Sequence, residues 1–227
     1  MPGSASRVLV VGATGELGTH AVHGLMTRGS QPAVAGRDPG RLDALAERTG
    51  CPALAIDAYD LDGCAGAAAW AAAVLGGLDG VLVAVGVPAF GTADSVPDAV
   101  AEHLMTVNAL CPMAVLRGAI PVVRDGGFLA AITGAIVETP LTGAADYAAA
   151  KSALSCWLTV VSREVRRRDV QVTDARLPHM ATGFESRGVY GSPPRLPPGA
   201  DPATEVAALL DRLLGHLSST RRQTPSP

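Results

Sequence analysis

Short apolar runs alternate with longer segments of helical pattern along this chain. Residues 7–11 (RVLVV) are mostly apolar and branched, as in a buried strand, and the segment after them has helical character. The alternation predicts strands at 7–11, 31–35, 53–56, 80–85, 127–132 and 170–175, and helices at 19–28, 38–48, 61–75, 98–117, 144–167 and 204–217. Strands and helices that alternate in this way imply an α/β fold, a doubly wound parallel sheet with helices on both faces.

The domain limits follow from where this pattern stops. Residues 7–217 form one predicted domain, and residues 1–6 and 218–227 are predicted to be disordered. Residues 187–202 are rich in Pro and Gly, so they form either a lid over a pocket or a linker to the last helix. In the helix at 98–117, Ser95 is a predicted cap with Pro97 in the first turn, and Pro112 should kink the helix.

Composition and charge narrow the class of protein. The 227 residues are 48% hydrophobic and 17% charged with a net charge of -3, which suits one domain with a full core and no nucleic-acid-binding surface. No apolar run reaches the roughly 18 residues of a membrane helix, and no signal-peptide layout is present. The scattered cysteines suit buried thiols in a reducing compartment, so we expect a cytoplasmic protein with no bound metal and no membrane contact.

A glycine-rich turn joins the first strand to the first helix. Gly12, Gly15 and Gly18 lie in GATGELG, directly after the strand. In this context glycines allow a tight turn, let the backbone approach a pyrophosphate and let the helix pack close to the sheet. The N–H groups at the helix start, together with the helix dipole, favour the anion. The motif therefore predicts a Rossmann-type dinucleotide-binding domain.

A second pattern concerns proton transfer. Tyr147 precedes Lys151 by four positions within the predicted helix at 144–167, so the two side chains lie on one face. A nearby ammonium favours tyrosinate and lowers the phenol pKa toward the working pH, as a proton-transferring tyrosine requires. Because this spacing is also common on purely structural helices, the pair gains its meaning from the dinucleotide motif.

Cofactor choice depends on the end of the second strand. An enzyme that uses NAD usually has a carboxylate there for the ribose 2′-hydroxyl, but Gly36 occupies this place and Arg37 follows it. A guanidinium suits a 2′-phosphate, so we predict NADP(H) rather than NAD(H). A shift of one residue would instead put the Asp38 carboxylate on the ribose.

Taken together, the motifs resemble those of the short-chain dehydrogenase/reductase family over about residues 8–217. They are, in order, the glycine-rich turn, Asp57 after the third strand, AVG at 84–86, VNA at 107–109, ITG at 132–134, YAAAK at 147–151 and LPHMAT at 177–182. The shared order and spacing carry the resemblance, since each motif alone is weak.

The resemblance implies roles for the matching residues. Tyr147 would exchange a proton with a carbonyl or alcohol oxygen, and Lys151 would lower the Tyr147 pKa and bond the nicotinamide ribose. Asn108 would hold a water that relays protons to Lys151. Asp57 would bond the adenine, although a simple strand-end turn is an alternative reading. The implied cofactor-binding residues are Gly12, Thr14, Gly15, Glu16, Leu17, Gly18, Arg37, Asp57, Ala58, Gly86, Tyr147, Lys151, Pro178 and Thr182.

The chain also departs from the family pattern. Gly134 stands where a serine usually occurs, thirteen positions before the tyrosine, and Thr133 could supply that hydroxyl only if the chain shifts by about one residue. The even glycine spacing is that of epimerase-like and atypical branches rather than the common GxxxGxG. His179 replaces a glycine that usually follows the proline, and it either reaches the substrate pocket or only shapes the loop.

The expected function is therefore that of an NADP(H)-dependent oxidoreductase that interconverts a carbonyl and an alcohol by hydride transfer. Apolar and aromatic residues in the late loop hint at a small or medium apolar substrate: Phe184, Val189, Tyr190 and Leu196. The alternatives are a non-redox enzyme of the same fold (a dehydratase, isomerase or cyclase) and a non-catalytic dinucleotide-binding sensor. The family also implies a homodimer or homotetramer in which the helices at 98–117 and 144–167 pair across a two-fold axis.

Overall fold

Parallel strands form a single sheet in residues 5–223, the part of the chain that the computed structural model describes, with side chains described as far as residue 220. The strands are β1 (Arg7–Val11), β2 (Gln31–Gly36), β3 (Ala53–Ala55), β4 (Gly80–Val83), β5 (Phe128–Ile132) and β6 (Gln171–Ala175). Their order across the sheet is β3-β2-β1-β4-β5-β6, and every neighbouring pair is parallel. The predicted Rossmann-type doubly wound sheet is confirmed.

Helices cover both faces of this sheet. They are α1 (Glu16–Thr27), α2 (Pro39–Thr49), α3 (Leu61–Leu75), α4 (Asp98–Met105), α5 (Cys111–Ala119), α6 (Ala145–Glu164) and α7 (Pro202–Gln223). One apolar core lies between the sheet and α3, α5 and α6, and a second lies between the sheet and α1, α2 and α7. Side chains that alternate along each strand supply both cores, as a sheet buried on two faces requires.

The strand order reverses between β1 and β4. From β1 the chain runs outward through β2 to β3, then crosses back to β4 on the other side of β1. Such a reversal opens a crevice at the carboxyl ends of the two central strands, where open α/β sheets bind ligands. The glycine-rich turn follows β1 and therefore lies at this crevice.

Most predicted boundaries differ from the observed ones by one to three residues, and the last helix shows a larger difference. It runs from Pro202 to Gln223, so residues 218–223 are helical rather than disordered. Leu217 is buried against the core, and the Thr220 hydroxyl donates to the Gly126 carbonyl at 3.1 Å, which ties this end of the helix to the loop before β5. Of the other residues predicted to be disordered, 1–4 and 224–227 lie outside the described part.

The helical region that begins at Asp98 is not one continuous α-helix. A π-helical turn, Thr106–Leu110, joins α4 to α5, and Pro112 stands in the first turn of α5. Proline has no N–H, so it cannot donate to the carbonyl four residues earlier, and the backbone accommodates this at the predicted place. The Ser95 cap is wrong: Pro97 is the N-cap, without a side-chain bond, and the Ser95 hydroxyl donates to the Thr92 carbonyl at 2.9 Å.

The same region is long and apolar enough to pass a test for a membrane-spanning helix. The sequence did not indicate this, because the region contains no uninterrupted apolar run of that length. Within the described residues, 98–119 is the one stretch that passes the test, and half of its most apolar window is buried inside the protein. A core helix of a soluble protein passes the same test, and α5 packs closely on α3 and the sheet. The burial accounts for its apolar character.

The segment at 187–202 packs on the loop after β4. Val189 N–H donates to the Pro88 carbonyl and Phe90 N–H donates to the Tyr190 carbonyl, both at 2.9 Å, and the Tyr190 hydroxyl donates to the Ser95 carbonyl. These bonds hold the segment over the crevice. Whether it acts as a lid or only links to the last helix stays a prediction.

Candidate active site

A cavity of about 720 Å³ lies at the carboxyl ends of the central strands. It extends from the end of β2, past the glycine-rich turn, to α6 and the loop after β6. Most of the predicted site residues line it: Gly12, Thr14, Gly15, Glu16, Leu17, Arg37, Asp57, Ala58, Gly86, Thr133, Tyr147, Lys151, Pro178 and Thr182. Gly18 and Asn108 lie outside the lining and act in other ways.

No side chain fits at two glycines of the turn after β1. The turn therefore presents bare backbone to the cavity, where a diphosphate could lie. Gly12 has a φ of 83°, and a Cβ there would lie 2.6 Å from the Ala84 carbonyl oxygen. A Cβ at Gly18 would lie 2.2 Å from the Gly12 carbonyl oxygen, so this glycine allows α1 to pack against the turn rather than lining the cavity. Gly15 caps α1 without a side-chain bond, so the first-turn N–H groups of the helix remain available to an anion. The cradle therefore fits a dinucleotide pyrophosphate.

Arginines mark the end of the cavity next to β2. Arg37 and Arg41 both line it, and the Arg41 guanidinium donates to the Thr14 carbonyl. Asp38, the alternative ribose ligand, accepts from the Arg41 N–H at 3.0 Å and caps α2. Its carboxylate thus has a structural role that the sequence did not indicate.

Asp57 lies at the same end and forms a strand-end turn, while its contact with the adenine stays a prediction. Its carboxylate accepts from the Tyr59 N–H at 3.0 Å, as a strand-end turn requires, and the residue also lines the cavity. Next to it, the Tyr59 hydroxyl lies 2.6 Å from His103 Nδ1 and the two rings stack. Both residues of this stacked pair line the cavity.

Tyr147 lies in the first turn of α6, is partly buried and lines the cavity. Its ring packs beside Phe184, with ring centroids 6.3 Å apart. Burial raises the pKa of Tyr147 above its usual 10.0. The predicted lowering of this pKa by Lys151 is therefore wrong for this structure, since the cost of burying a tyrosinate dominates. The phenol is protonated at neutral pH, which is the form that donates a proton.

Lys151 lies one helical turn further along α6 and is only 3% exposed. Its ammonium donates to the Ile132 carbonyl at 3.0 Å and to the Val85 carbonyl at 3.3 Å. Burial lowers the pKa of Lys151 from 10.5 to about 8, and the nearby Asp174 carboxylate opposes that lowering. The ammonium is thus held between the ends of β4 and β5. A Cβ at Gly86 would lie 3.0 Å from Nζ, so Gly86 leaves the ammonium room.

Asn108 lies in the π-helical turn and is fully buried. Its side-chain amide accepts from the Val87 N–H and donates to the carbonyls of Val87 and Leu104, at 3.0 to 3.1 Å. These bonds occupy both amide hydrogens and fix the backbone just after β4, beside Gly86. The water-holding role of Asn108 stays a prediction.

The structure gives Thr133 a partner other than a substrate. It follows the last residue of β5 and is buried, and its hydroxyl donates to the Asp174 carboxylate on β6. It therefore does not take the place of the missing serine in this structure, although it borders the cavity. Gly134 has a φ of 89° and a Cβ there would meet only the Leu177 carbonyl, at 3.8 Å. The family's serine position thus faces open space.

The other end of the cavity lies under the loop after β6. Pro178, Thr182 and His179 line it. Apolar side chains complete this end: Phe90, Ile136, Leu141, Met180, Phe184, Val189 and Leu196. Tyr190, which the sequence suggested for the pocket, bonds Ser95 instead.

Sequence reasoning missed Arg41, Tyr59 and His103 on the cofactor side. Arg41 follows Arg37 by four positions, a helical spacing that could have indicated a second guanidinium. The pairing of Tyr59 with His103 joins segments 44 residues apart and left no local signal.

Comparison with known proteins agrees with this geometry. The family profile described as short chain dehydrogenase matches residues 6–187. A short-chain oxidoreductase from Thermus thermophilus is 28% identical, with 97% of each chain covered and a TM-score of 0.77. A search of curated proteins finds no match.

Solved structures with lower identity share the fold. A short-chain type dehydrogenase/reductase from Mycobacterium ulcerans is 19% identical, with a TM-score of 0.82 over 92% of this chain and 83% of its own. An alcohol dehydrogenase from Thermococcus sibiricus, complexed with 5-hydroxy-NADP, is 18% identical, with a TM-score of 0.79 over 92% of this chain and 91% of its own. With a family profile that spans most of the chain, the dinucleotide cradle and the Tyr147–Lys151 turn on α6, the chain belongs to the short-chain dehydrogenase/reductase family.

Proposed function

We propose that this protein is an NADP(H)-dependent oxidoreductase that interconverts a small or medium apolar carbonyl compound and its alcohol. The observation that carries the proposal is that Tyr147, Lys151 and the glycine cradle line one continuous cavity. A non-catalytic dinucleotide sensor would need only the glycine cradle. The Tyr147 phenol and the Lys151 ammonium, one helical turn apart, are groups that a proton-transferring enzyme requires.

The preference for NADP(H) rests on charge at the end of β2. Arg37 and Arg41 border the cavity there, and the carboxylate of Asp38, at the cap of α2, is bonded to a backbone N–H. Guanidinium groups suit a 2′-phosphate, and the Asp38 carboxylate, which also borders the cavity, caps α2 through one of its oxygens. The Thermococcus sibiricus neighbour, which holds an NADP derivative, is consistent with this choice.

A bound nicotinamide dinucleotide would supply or accept the hydride. In reduction, Tyr147 donates its phenolic proton to the carbonyl oxygen, and its raised pKa keeps that proton in place until the oxygen becomes basic. Lys151 places a positive charge near the developing tyrosinate, which stabilises it. Asn108 holds the backbone after β4, so Gly86 and the Lys151 ammonium keep their separation.

The apolar part of the lining supports an apolar ligand. It includes Phe90, Leu141, Phe184, Val189 and Leu196, and the Phe184 ring packs beside the ring of Tyr147. Such side chains gain about 25 cal/mol for each Å² of apolar ligand surface that they remove from water. No hydroxyl at position 134 helps to polarise the carbonyl, so slow turnover is expected for unactivated ketones.

The decisive test follows NADPH oxidation with a panel of apolar aldehydes and ketones. We expect turnover by the wild type, loss of at least roughly 100-fold in Tyr147→Phe, and nearly unchanged NADPH binding, since the substitution removes only the proton donor. Tyr190→Phe, which alters a phenol outside the cavity lining, should keep most of the activity. Full activity in Tyr147→Phe would remove this residue from the chemistry.

The same assay separates the non-redox alternative. The missing serine hydroxyl motivates a dehydratase, isomerase or cyclase, and such an enzyme would form product without any change in nicotinamide absorbance. We also propose a cytoplasmic location, which the four free thiols support. A protein exported to an oxidising compartment would contradict that part.

A further inference from the structure

The Asp174 carboxylate joins the two elements that hold Lys151. One oxygen accepts from the Thr133 hydroxyl, and the other accepts from the Ser155 hydroxyl at 2.6 Å. Thr133 directly follows Ile132, whose carbonyl accepts from the Lys151 ammonium, and Ser155 lies one helical turn after Lys151 on α6. A single carboxylate on β6 thus connects the end of β5 to the helix that carries the ammonium.

The Asp174 carboxylate compensates the buried positive charge of Lys151. The direct hydrogen-bond partners of the ammonium are neutral carbonyls, of Val85 and Ile132. Other ionisable groups lie on the packed elements: Asp146, Tyr147, Cys156, Arg163 and Glu164 on α6, Asp98, Glu102 and His103 on α4, and Cys111 and Arg117 on α5. Among the described residues, the charged group whose effect reaches Lys151 is Asp174 on β6. The burial of the ammonium therefore has one nearby compensating charge in the described part of the chain.

An ion pair with Arg176 moderates Asp174 from the solvent side. Arg176 donates through Nε to Asp174 at 2.8 Å, through Nη2 to Ser155 at 3.1 Å and through Nη1 to Glu138 at 2.9 Å. The side chains of Arg176 and Glu138 are 38% and 57% exposed, so water screens them. Asp174, at 16%, is much less screened.

We propose that Asp174 is a positioning residue for Lys151, which sets the place of the ammonium through Thr133 and Ser155 and keeps it positively charged. The proposal rests on the proposed function, in which Lys151 works beside Tyr147. It also assigns a role to the Thr133 hydroxyl, which holds the carboxylate rather than a substrate.

Lys151 offers a direct readout because it is the only lysine among the 227 residues. Protein produced with ¹³C-labelled lysine gives one Cε signal by NMR, and the pH dependence of its chemical shift reports the protonation of the ammonium without any substrate. The wild-type midpoint should lie near the pKa of about 8 that burial produces.

The main variant is Asp174→Asn, which keeps the size but removes the charge and replaces one accepting oxygen by a donating amide group. We expect the Lys151 midpoint to fall by about one pH unit, as loss of a nearby opposite charge predicts. Asp125→Asn removes a carboxylate paired with Arg168 at the surface and should leave the midpoint unchanged. Arg176→Gln removes the cation that competes for Asp174, so it should move the midpoint upward.

A folded Asp174→Asn protein that titrates like the wild type would overturn the proposal. If that variant does not fold, Arg176→Gln decides, because its surface position tolerates change, and an unmoved midpoint there overturns the proposal equally. A merely structural Asp174 would lower stability without moving the midpoint. Failure of the proposed function is a separate result, since it appears as activity in Tyr147→Phe.

Discussion

Gly12 and Ala84 approach so closely that a methyl group on Gly12 would lie 2.6 Å from the Ala84 carbonyl oxygen. The contact joins the turn after β1 to the segment after β4, across the reversal in strand order. Only glycine permits this approach, because the φ of 83° is also unfavourable for other residues.

Gly12→Ala should therefore impair both folding and cofactor binding. The left-handed backbone costs about 1–2 kcal/mol and the overlap adds to it, so we expect the free energy of unfolding to fall by at least about 2 kcal/mol. NADPH affinity should fall at least tenfold. Gly66→Ala is the matched control: Gly66 is exposed in α3 with open space around it, so alanine should stabilise by about 0.5–1 kcal/mol. Urea unfolding and NADPH titration measure both effects.

Arg37→Ala and Arg41→Ala test the choice of cofactor. Each removes a guanidinium beside the expected 2′-phosphate, and a hydrogen bond to a charged group contributes about 1.5–3 kcal/mol. The Kd for NADPH should rise by roughly 10- to 100-fold in at least one variant, whereas the Kd for NADH should hardly change. Arg48→Ala, at the exposed end of α2, is the control. Equal losses for both dinucleotides would argue against recognition of the phosphate.

The Asp79 carboxylate makes a contribution to the free energy of unfolding that depends on pH. Burial alone would raise its pKa, but bonds from Arg7 and Arg124 outweigh burial and hold the pKa at about 2, below the usual 3.8. Because the folded-state pKa is the lower one, this stabilisation is present above about pH 4 and is lost as the pH falls through 2. Asp79→Asn should lower the free energy of unfolding at pH 7 by about 2 kcal/mol.

The difference between wild type and Asp79→Asn should shrink as the pH falls from 7 toward 2, which urea unfolding at several pH values can follow. Asp125→Asn serves as the control, since its side chain is 75% exposed and such surface pairs contribute at most about 1 kcal/mol. A constant difference at all pH values would mean that packing rather than charge explains the loss.

Self-association should use the face formed by α4, the π-helical turn and α6. Large apolar side chains on this face are exposed, with Leu110 at 42% and Val160 at 47%. In the family, these helices pair across a two-fold axis, so we expect a dimer or tetramer in solution. Val160→Glu should dissociate it, whereas Val74→Glu on α3, where the side chain is 46% exposed, should not. Light scattering gives the mass, and a monomeric wild type would exclude this interface.

The sequence alone determined the layout of the fold and identified a set of residues of which most line the cavity. Apolar runs and helical segments are local patterns, so the strands, their alternation with helices and the place of the glycine-rich turn could be read directly. The spacing of Tyr147 and Lys151 is equally local, because four residues make about one turn of a helix. The ends of helices were harder to predict. Helix α7 extends to Gln223, because its last turns pack on residues far away in the sequence.

Only the tertiary structure decided what several site residues do. Thr133 bonds Asp174, 41 residues away, and Asn108 bonds Val87, 21 residues away, and no local pattern specifies such partners. The pKa values of Tyr147 and Lys151 likewise depend on burial by elements from the whole chain. The spacing in the sequence determines which side chains share a helix face. Their hydrogen-bond partners and their burial depend on how separate helices and strands pack in the folded protein.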